Sequence, residues 1–177
     1  MKFLFVIGAL LLLENSALAV RPMPSIKTHP SQHSTFTYDL GMATGSDNGN
    51  SYSEVNIALN WYLTDWLNWR NAVFTRFGSN ITSVSGLDSA FLATYESSTD
   101  DKSFGVRAFA GPGVRFATAN NSAATAEAGV IFKLAGIQIG GGARYLSYFG
   151  SREDVAKTVL PKNETQYFIV LAGGGSF

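Results

Sequence analysis

Apolar residues recur at every second position through most of this chain, the spacing of a strand with two unlike faces rather than of a helix. The final twelve residues show it plainly. Tyr167, Ile169, Leu171, Gly173, Gly175 and Phe177 fall on one face, and Gln166, Phe168, Val170, Ala172, Gly174 and Ser176 on the other. Seven earlier segments repeat the pattern. A first strand over about 34–44 places Phe36, Tyr38, Leu40 and Met42 together. A second over 51–63 sets Val55, Ile57, Leu59, Trp61 and Leu63 against Glu54, Asn56, Ala58 and Asn60. A third from Leu67 to about Gly78 sets Leu67, Trp69, Val73 and Phe77 against Arg70 and Arg76, with Asn71 out of phase and a bulge a possible remedy. The fourth, about 86–96, is the faintest, with Leu87, Phe91, Ala93 and Tyr95 on one face.

The fifth, Phe104 to Ala117, is the clearest, with Arg107 and Arg115 on the face opposite Val106, Val114 and Phe116. Its Pro112 lacks a ladder donor, and a bulge between Gly111 and Gly113 would absorb it. The sixth puts Ala126, Ala128, Val130, Phe132 and Leu134 outward and Glu127 and Lys133 inward. The seventh puts Ile137, Ile139, Gly141, Ala143 and Tyr145 outward and Gln138 and Arg144 inward. Turn-rich residues separate the segments: Gly45 to Asn50, Thr64-Asp65-Trp66, Ser79 to Ser85, Ser97 to Lys102, Thr118 to Ser122, Ala135-Gly136, and a long loop from Leu146 to Glu164.

The pattern predicts an all-β chain, a closed antiparallel up-and-down transmembrane barrel of eight strands over residues 34–177. Both chain ends then fall on one side, with the tight turns, and the longest loop on the other. Two aromatic belts are expected at the membrane interfaces: Trp61, Trp66, Trp69, Tyr95, Phe104 and Phe177 on the inner side, and Phe116, Tyr145, Tyr148 and Tyr167 on the outer.

The start of the chain assigns a compartment. Met1-Lys2, an apolar run from Phe3 to Leu13 and the site Ala17-Leu18-Ala19 describe an export signal over 1–19. The run is too short for a membrane helix, which needs roughly 20 residues. Residues 20–33 hold Pro22, Pro24 and Pro30 without any period and read as a flexible periplasmic arm. With 0 cysteines there is no lipid-anchor cysteine, disulfide or thiol chemistry, so sheet closure must supply stability. The 13 basic and 13 acidic residues balance, and removal of the leader takes one of each, so nothing points to nucleic acid.

The turn Trp61-Tyr62-Leu63-Thr64-Asp65-Trp66-Leu67, the stretch Arg107-Ala108-Phe109-Ala110-Gly111-Pro112-Gly113-Val114 and the terminal Phe177 resemble the small OmpA/OmpX/OmpW-like outer-membrane barrels of Gram-negative bacteria. The resemblance implies an integral outer-membrane protein with periplasmic termini, surrounded by lipid and lipopolysaccharide. It also implies insertion by the outer-membrane assembly machinery, which reads the C-terminal strand through Tyr167, Ile169, Leu171 and Phe177. A monomer is expected. A soluble lipocalin-like carrier has eight strands too, but would bury its apolar face and leave these charges outside, and strand parity alone does not say which face is inside.

Inward charges form the candidate site. If Leu63 pairs with Leu67, Glu54 lies opposite Arg76; a loop centred near residue 82 brings Asp88 opposite Arg76 as well. A loop centred near Asn121 brings Arg115 to Glu127, and the Ala135-Gly136 turn sets Glu127 opposite Arg144. Two ionic clusters are therefore expected in the outer half of the lumen, Glu54–Arg76–Asp88 and Arg115–Glu127–Arg144. They are read as the polar filling of a barrel with a structural or surface-interaction role, its contact surface the loop with Arg152, Glu153, Asp154 and Lys157. The alternative is an OmpW-like narrow channel for small or apolar solutes, porin-like in that sense.

Catalysis is not expected. The only histidines, His29 and His33, lie in the arm, and Arg144-Tyr145-Leu146-Ser147, near where lipid A deacylases keep His and Ser, has no histidine to serve as base. No metal or cofactor site is apparent, with no cysteine and no histidine pair on a rigid element.

Overall fold

Alternation over this many segments leaves each strand with one face for hydrocarbon and one for a polar interior, and only closure satisfies every backbone edge. The computed structural model describes residues 36–99, 104–134 and 137–173. The expected leader, the arm with both histidines, the Ala135-Gly136 turn and Phe177 lie outside the described residues. The strands are β1 (Phe36–Asp47), β2 (Asn50–Tyr62), β3 (Leu67–Phe77), β4 (Val84–Ser98), β5 (Phe104–Ala117), β6 (Ala123–Leu134), β7 (Ile137–Tyr148) and β8 (Asn163–Gly173). Each pairs antiparallel with its neighbours in sequence, and β1 pairs with β8 to close the barrel. The strands run 11 to 15 residues, and about 9–11 tilted residues cross a bilayer.

Parity is resolved by burial. Outward Leu40, Ile57, Val73 and Ile169 are 51–60% exposed, whereas inward Glu54, Arg76 and Arg115 are at most 1% exposed. The apolar face is outside and the charged face inside, the reverse of a lipocalin-like carrier. Covering each half-exposed aliphatic chain with hydrocarbon is worth roughly 1 kcal/mol by area.

Several strands outrun the boundaries expected from turn residues. β1 continues to Asp47, because Asn48 (φ 49°) and Gly49 (φ 84°) reverse the chain in two residues, both in the left-handed region that Asn and Gly tolerate. β7 continues to Tyr148, and its unbroken alternation turns Tyr148 inward and fully buried; it is not part of an outer aromatic belt. At the other end of the barrel the rings of Phe36, Trp61, Trp69 and Phe91 stack across four adjacent strands, with centroids 5.3, 5.7 and 5.9 Å apart.

The turns also set registers. The 63–66 turn, closed by Leu63 N donating to Leu67 O at 2.9 Å, places Glu54 opposite Arg76. Asn71 lies outward with no bulge; β3 keeps one register throughout, pairing Asn71 with Leu59 and Ser89. The β3–β4 loop reverses earlier than residue 82, with Asn80 at φ 60°. Arg76 therefore faces Val84, and Asp88 faces Ala72. The β5–β6 loop likewise reverses at Ala119 and Asn120, both at positive φ, so Arg115 faces Ala123 and Glu127 faces Gly111. Pro112 is accommodated without a bulge. The β4–β5 register is the same on both sides of it, and only the pairings of Phe91 and Leu92 with Pro112 and Gly111 are missing. Gly111 is required there, since a Cβ would lie 1.9 Å from the carbonyl oxygen of Phe91.

Candidate functional site

Ionisable side chains enter the lumen from every strand, and the members of the two expected clusters meet in a single network. At its centre is Arg115 of β5. NH1 and NH2 donate to the two oxygens of Glu54 at 2.9 and 2.7 Å, and Nε and NH2 donate to the two oxygens of Asp88 at 2.7 Å each. Phe74 lies beneath the guanidinium, 3.9 Å from its carbon. Four charge-assisted bonds to two carboxylates use the planar fork that arginine has and lysine lacks.

Arg144 of β7 continues the network. It donates to Asp88 at 2.9 Å and to Glu127 at 2.7 Å, and lies 3.6 Å from Glu54. Glu127 also faces Arg70 at 4.0 Å, and Arg70 donates to Asp39 at 3.1 Å and Asn56 at 3.0 Å. Toward the end bearing the loops 78–83, 118–122 and 149–162, Arg76 lies 3.6 Å from Glu54, 3.3 Å from Asp47 and 3.7 Å from Glu164. Gln166 donates to Tyr52 Oη at 2.8 Å and Glu54 at 3.3 Å.

The regrouping follows from the registers. Arg76 keeps Glu54 but does not sit opposite Asp88, which is held by Arg115 and Arg144 instead. Arg115 reaches Glu54 and Asp88, and Glu127 is bound by Arg144. Strand pairing alone could not show this, because arginines reach across the bore to strands they do not neighbour.

Further members were not singled out from the sequence. Asp39, Asp47, Glu164 and Gln166 are all buried and inward. The alternation around Tyr38 and Leu40 already placed Asp39 inward. Arg152 carried no such signal, because it lies in an aperiodic loop. It was expected at a contact surface, yet it is 2% exposed and packs over the Tyr148 ring at 3.4 Å. Glu153 and Lys157 do remain exposed.

At the opposite end Glu96 pairs with Arg107 at 3.0 Å and with Lys133. Between that pair and the central network lies a cavity with a polar wall of Asp39, Asn60, Asn68 and Arg70 and an apolar wall including Leu92, Phe109 and Phe168. Tyr167, Ile169 and Leu171 of the expected assembly signal lie on the lipid side of β8, 52–65% exposed. Leu146 is fully buried, and Ser147 is partly exposed on the opposite face of β7. Among the described residues no group of His, Asp and Glu is placed to hold a metal ion.

No protein-family model matches the chain, and no curated protein sequence does. Among solved structures it is similar to the outer membrane enzyme PagL, with a TM-score of 0.52 and 15% identity over 77% of this chain and 99% of that one. This likeness corrects the expectation that the chain is not an enzyme. A barrel of the same build is one, so the missing base near Ser147 does not exclude catalysis. At this identity the likeness carries fold and not chemistry, and no narrower OmpA, OmpX or OmpW-like grouping follows from it. The chain has the fold of an eight-stranded outer-membrane barrel.

Proposed function

We propose that the protein is an integral outer-membrane barrel sealed by its own side chains, with a structural or surface-interaction role exerted through the end that bears the 149–162 loop. The observation that carries this is the continuity of the ion-paired network across the bore, from Asp39 and Arg70 through Glu127, Arg144, Asp88, Arg115 and Glu54 to Arg76 and Asp47. Eight strands enclose a lumen that side chains can fill, and here the charged side chains from Asp39 to Asp47 are tied one to the next. In this arrangement the termini are periplasmic, the long loop faces outward among lipopolysaccharide headgroups, and the assembly machinery engages β8.

Conductance across a planar bilayer tests the proposal. The refolded barrel, its folding shown by a heat-modifiable gel shift, is expected to be silent. Discrete steps that change in Glu127→Gln would instead establish the OmpW-like channel and make the network its gate. The likeness to an enzyme calls for a second assay on the same preparation: incubation with extracted outer-membrane lipid, followed by mass spectrometry. A time-dependent change in lipid mass would replace a structural role with a catalytic one.

A further inference from the structure

Arg152 is the one buried residue between Phe149 and Lys162. What buries it belongs to the barrel. Its NH1 donates to both oxygens of Asp47 at 3.0 and 3.3 Å and to Asn121 Oδ1 at 3.2 Å, and lies 3.6 Å from Glu164. The Tyr148 ring stacks on its guanidinium carbon at 3.4 Å. These partners come from β1, β7, β8 and the 118–122 loop, whereas within its own loop the guanidinium donates to Pro161 O at 2.9 Å. A planar cation with in-plane donors and an aromatic face is what such a receptor fits; an ammonium would satisfy the carboxylates but not the stack.

The arginine is delivered by a separate small unit. Residues 152–160 form a hairpin closed by Leu160 N donating to Arg152 O at 2.9 Å and Asp154 N donating to Thr158 O at 2.9 Å. Held by one buried anchor, such a unit can open as a piece while the strands stay closed. Two further observations point to a cationic ligand. Glu164 Oε1, buried beside Arg152, has no hydrogen-bond partner. A groove beside it is lined by Asp47, Glu153 and Asp154 and by no basic residue. Withdrawal of Arg152 leaves Asp47 and Glu164 facing Arg76, a cation that Glu54 also shares.

We infer that the barrel mouth is a binding site for small guanidinium-bearing molecules, with Arg152 as its internal occupant, and that such a molecule displaces the 152–160 hairpin. The inference rests on the proposed function only for the side of the membrane from which the ligand arrives.

The test uses the full barrel refolded in detergent and methylguanidinium chloride as the probe. In Arg152→Ala the probe is expected to raise the unfolding midpoint saturably, and methylammonium chloride at equal ionic strength is expected not to. In the unsubstituted protein the tethered arginine competes at an effective concentration in the millimolar range. There, roughly tens of millimolar probe is expected to speed amide hydrogen exchange across 149–162 while the strands stay protected. Absence of a saturable response in Arg152→Ala, or an equal response to methylammonium, overturns the inference. Should that variant not fold, unchanged exchange across 149–162 in the unsubstituted protein overturns it. None of these readouts depends on conductance or on lipid turnover.

Discussion

Arg115 holds both carboxylate oxygens of Glu54 at 2.7 and 2.9 Å, although the two residues stand on strands that are not neighbours in the barrel. The pair spans the bore and is fully buried. Removing one partner would strand the other. Arg115→Ala leaves Glu54 and Asp88 short of their shared cation, and a loss of about 3–5 kcal/mol is expected. Urea unfolding in detergent micelles measures it. The double variant Glu54→Gln with Arg115→Met should lose less than the two single losses added together, since directly contacting groups couple. Additive losses would show that the contact is not made.

The β3–β4 register has a clean test because the chain has no native cysteine. Thr75 and Ser85 face each other, with hydroxyl oxygens 3.0 Å apart. Thr75→Cys with Ser85→Cys should form a disulfide on mild oxidation, within the separation such bonds require. Thr75→Cys with Ser89→Cys, the pairing of a loop centred near residue 82, should not. Reversed yields would restore the register that sets Asp88 opposite Arg76.

Gly111 is constrained by backbone rather than by a movable side chain. Gly111→Ala sets a methyl group against the Phe91 carbonyl, and an overpacking cost of about 1–3 kcal/mol is expected. Gly105→Ala, whose nearest neighbours would lie at 3.3 Å, should cost clearly less. Equal unfolding midpoints for the two variants would contradict the close β4–β5 approach beside Pro112.

The stacked rings of Phe36, Trp61, Trp69 and Phe91 lie on the outer wall, Trp61 being 41% exposed. If that wall meets lipid at the interface, tryptophan emission in reconstituted vesicles should be quenched by lipids brominated near the headgroup. Lipids brominated at the chain ends should quench less. Quenching by neither, with a soluble quencher effective instead, would show that this face is not in the membrane.

What the sequence determined by itself was parity. A period of two needs no tertiary information. It placed Glu54, Arg76, Asp88, Arg115, Glu127 and Arg144 on one face and the aliphatic residues on the other, and it located all eight strands. It also set register where the turn left little freedom, as at 63–66, which fixes Glu54 opposite Arg76. Where a loop has several ways to reverse, register was decided by the tertiary structure. A left-handed Asn80, or Ala119 with Asn120, moves the reversal point, and each shift displaces every partner on the following strand. Only closure could reveal which charges meet, because a guanidinium on a long side chain bonds across the lumen, and no sequence spacing encodes that distance. Arg152 is the extreme case. It sits in a loop with no period, and only the assembled mouth of the barrel, with Asp47, Asn121, Tyr148 and Glu164 converging from distant parts of the chain, turns it from a surface charge into a buried one.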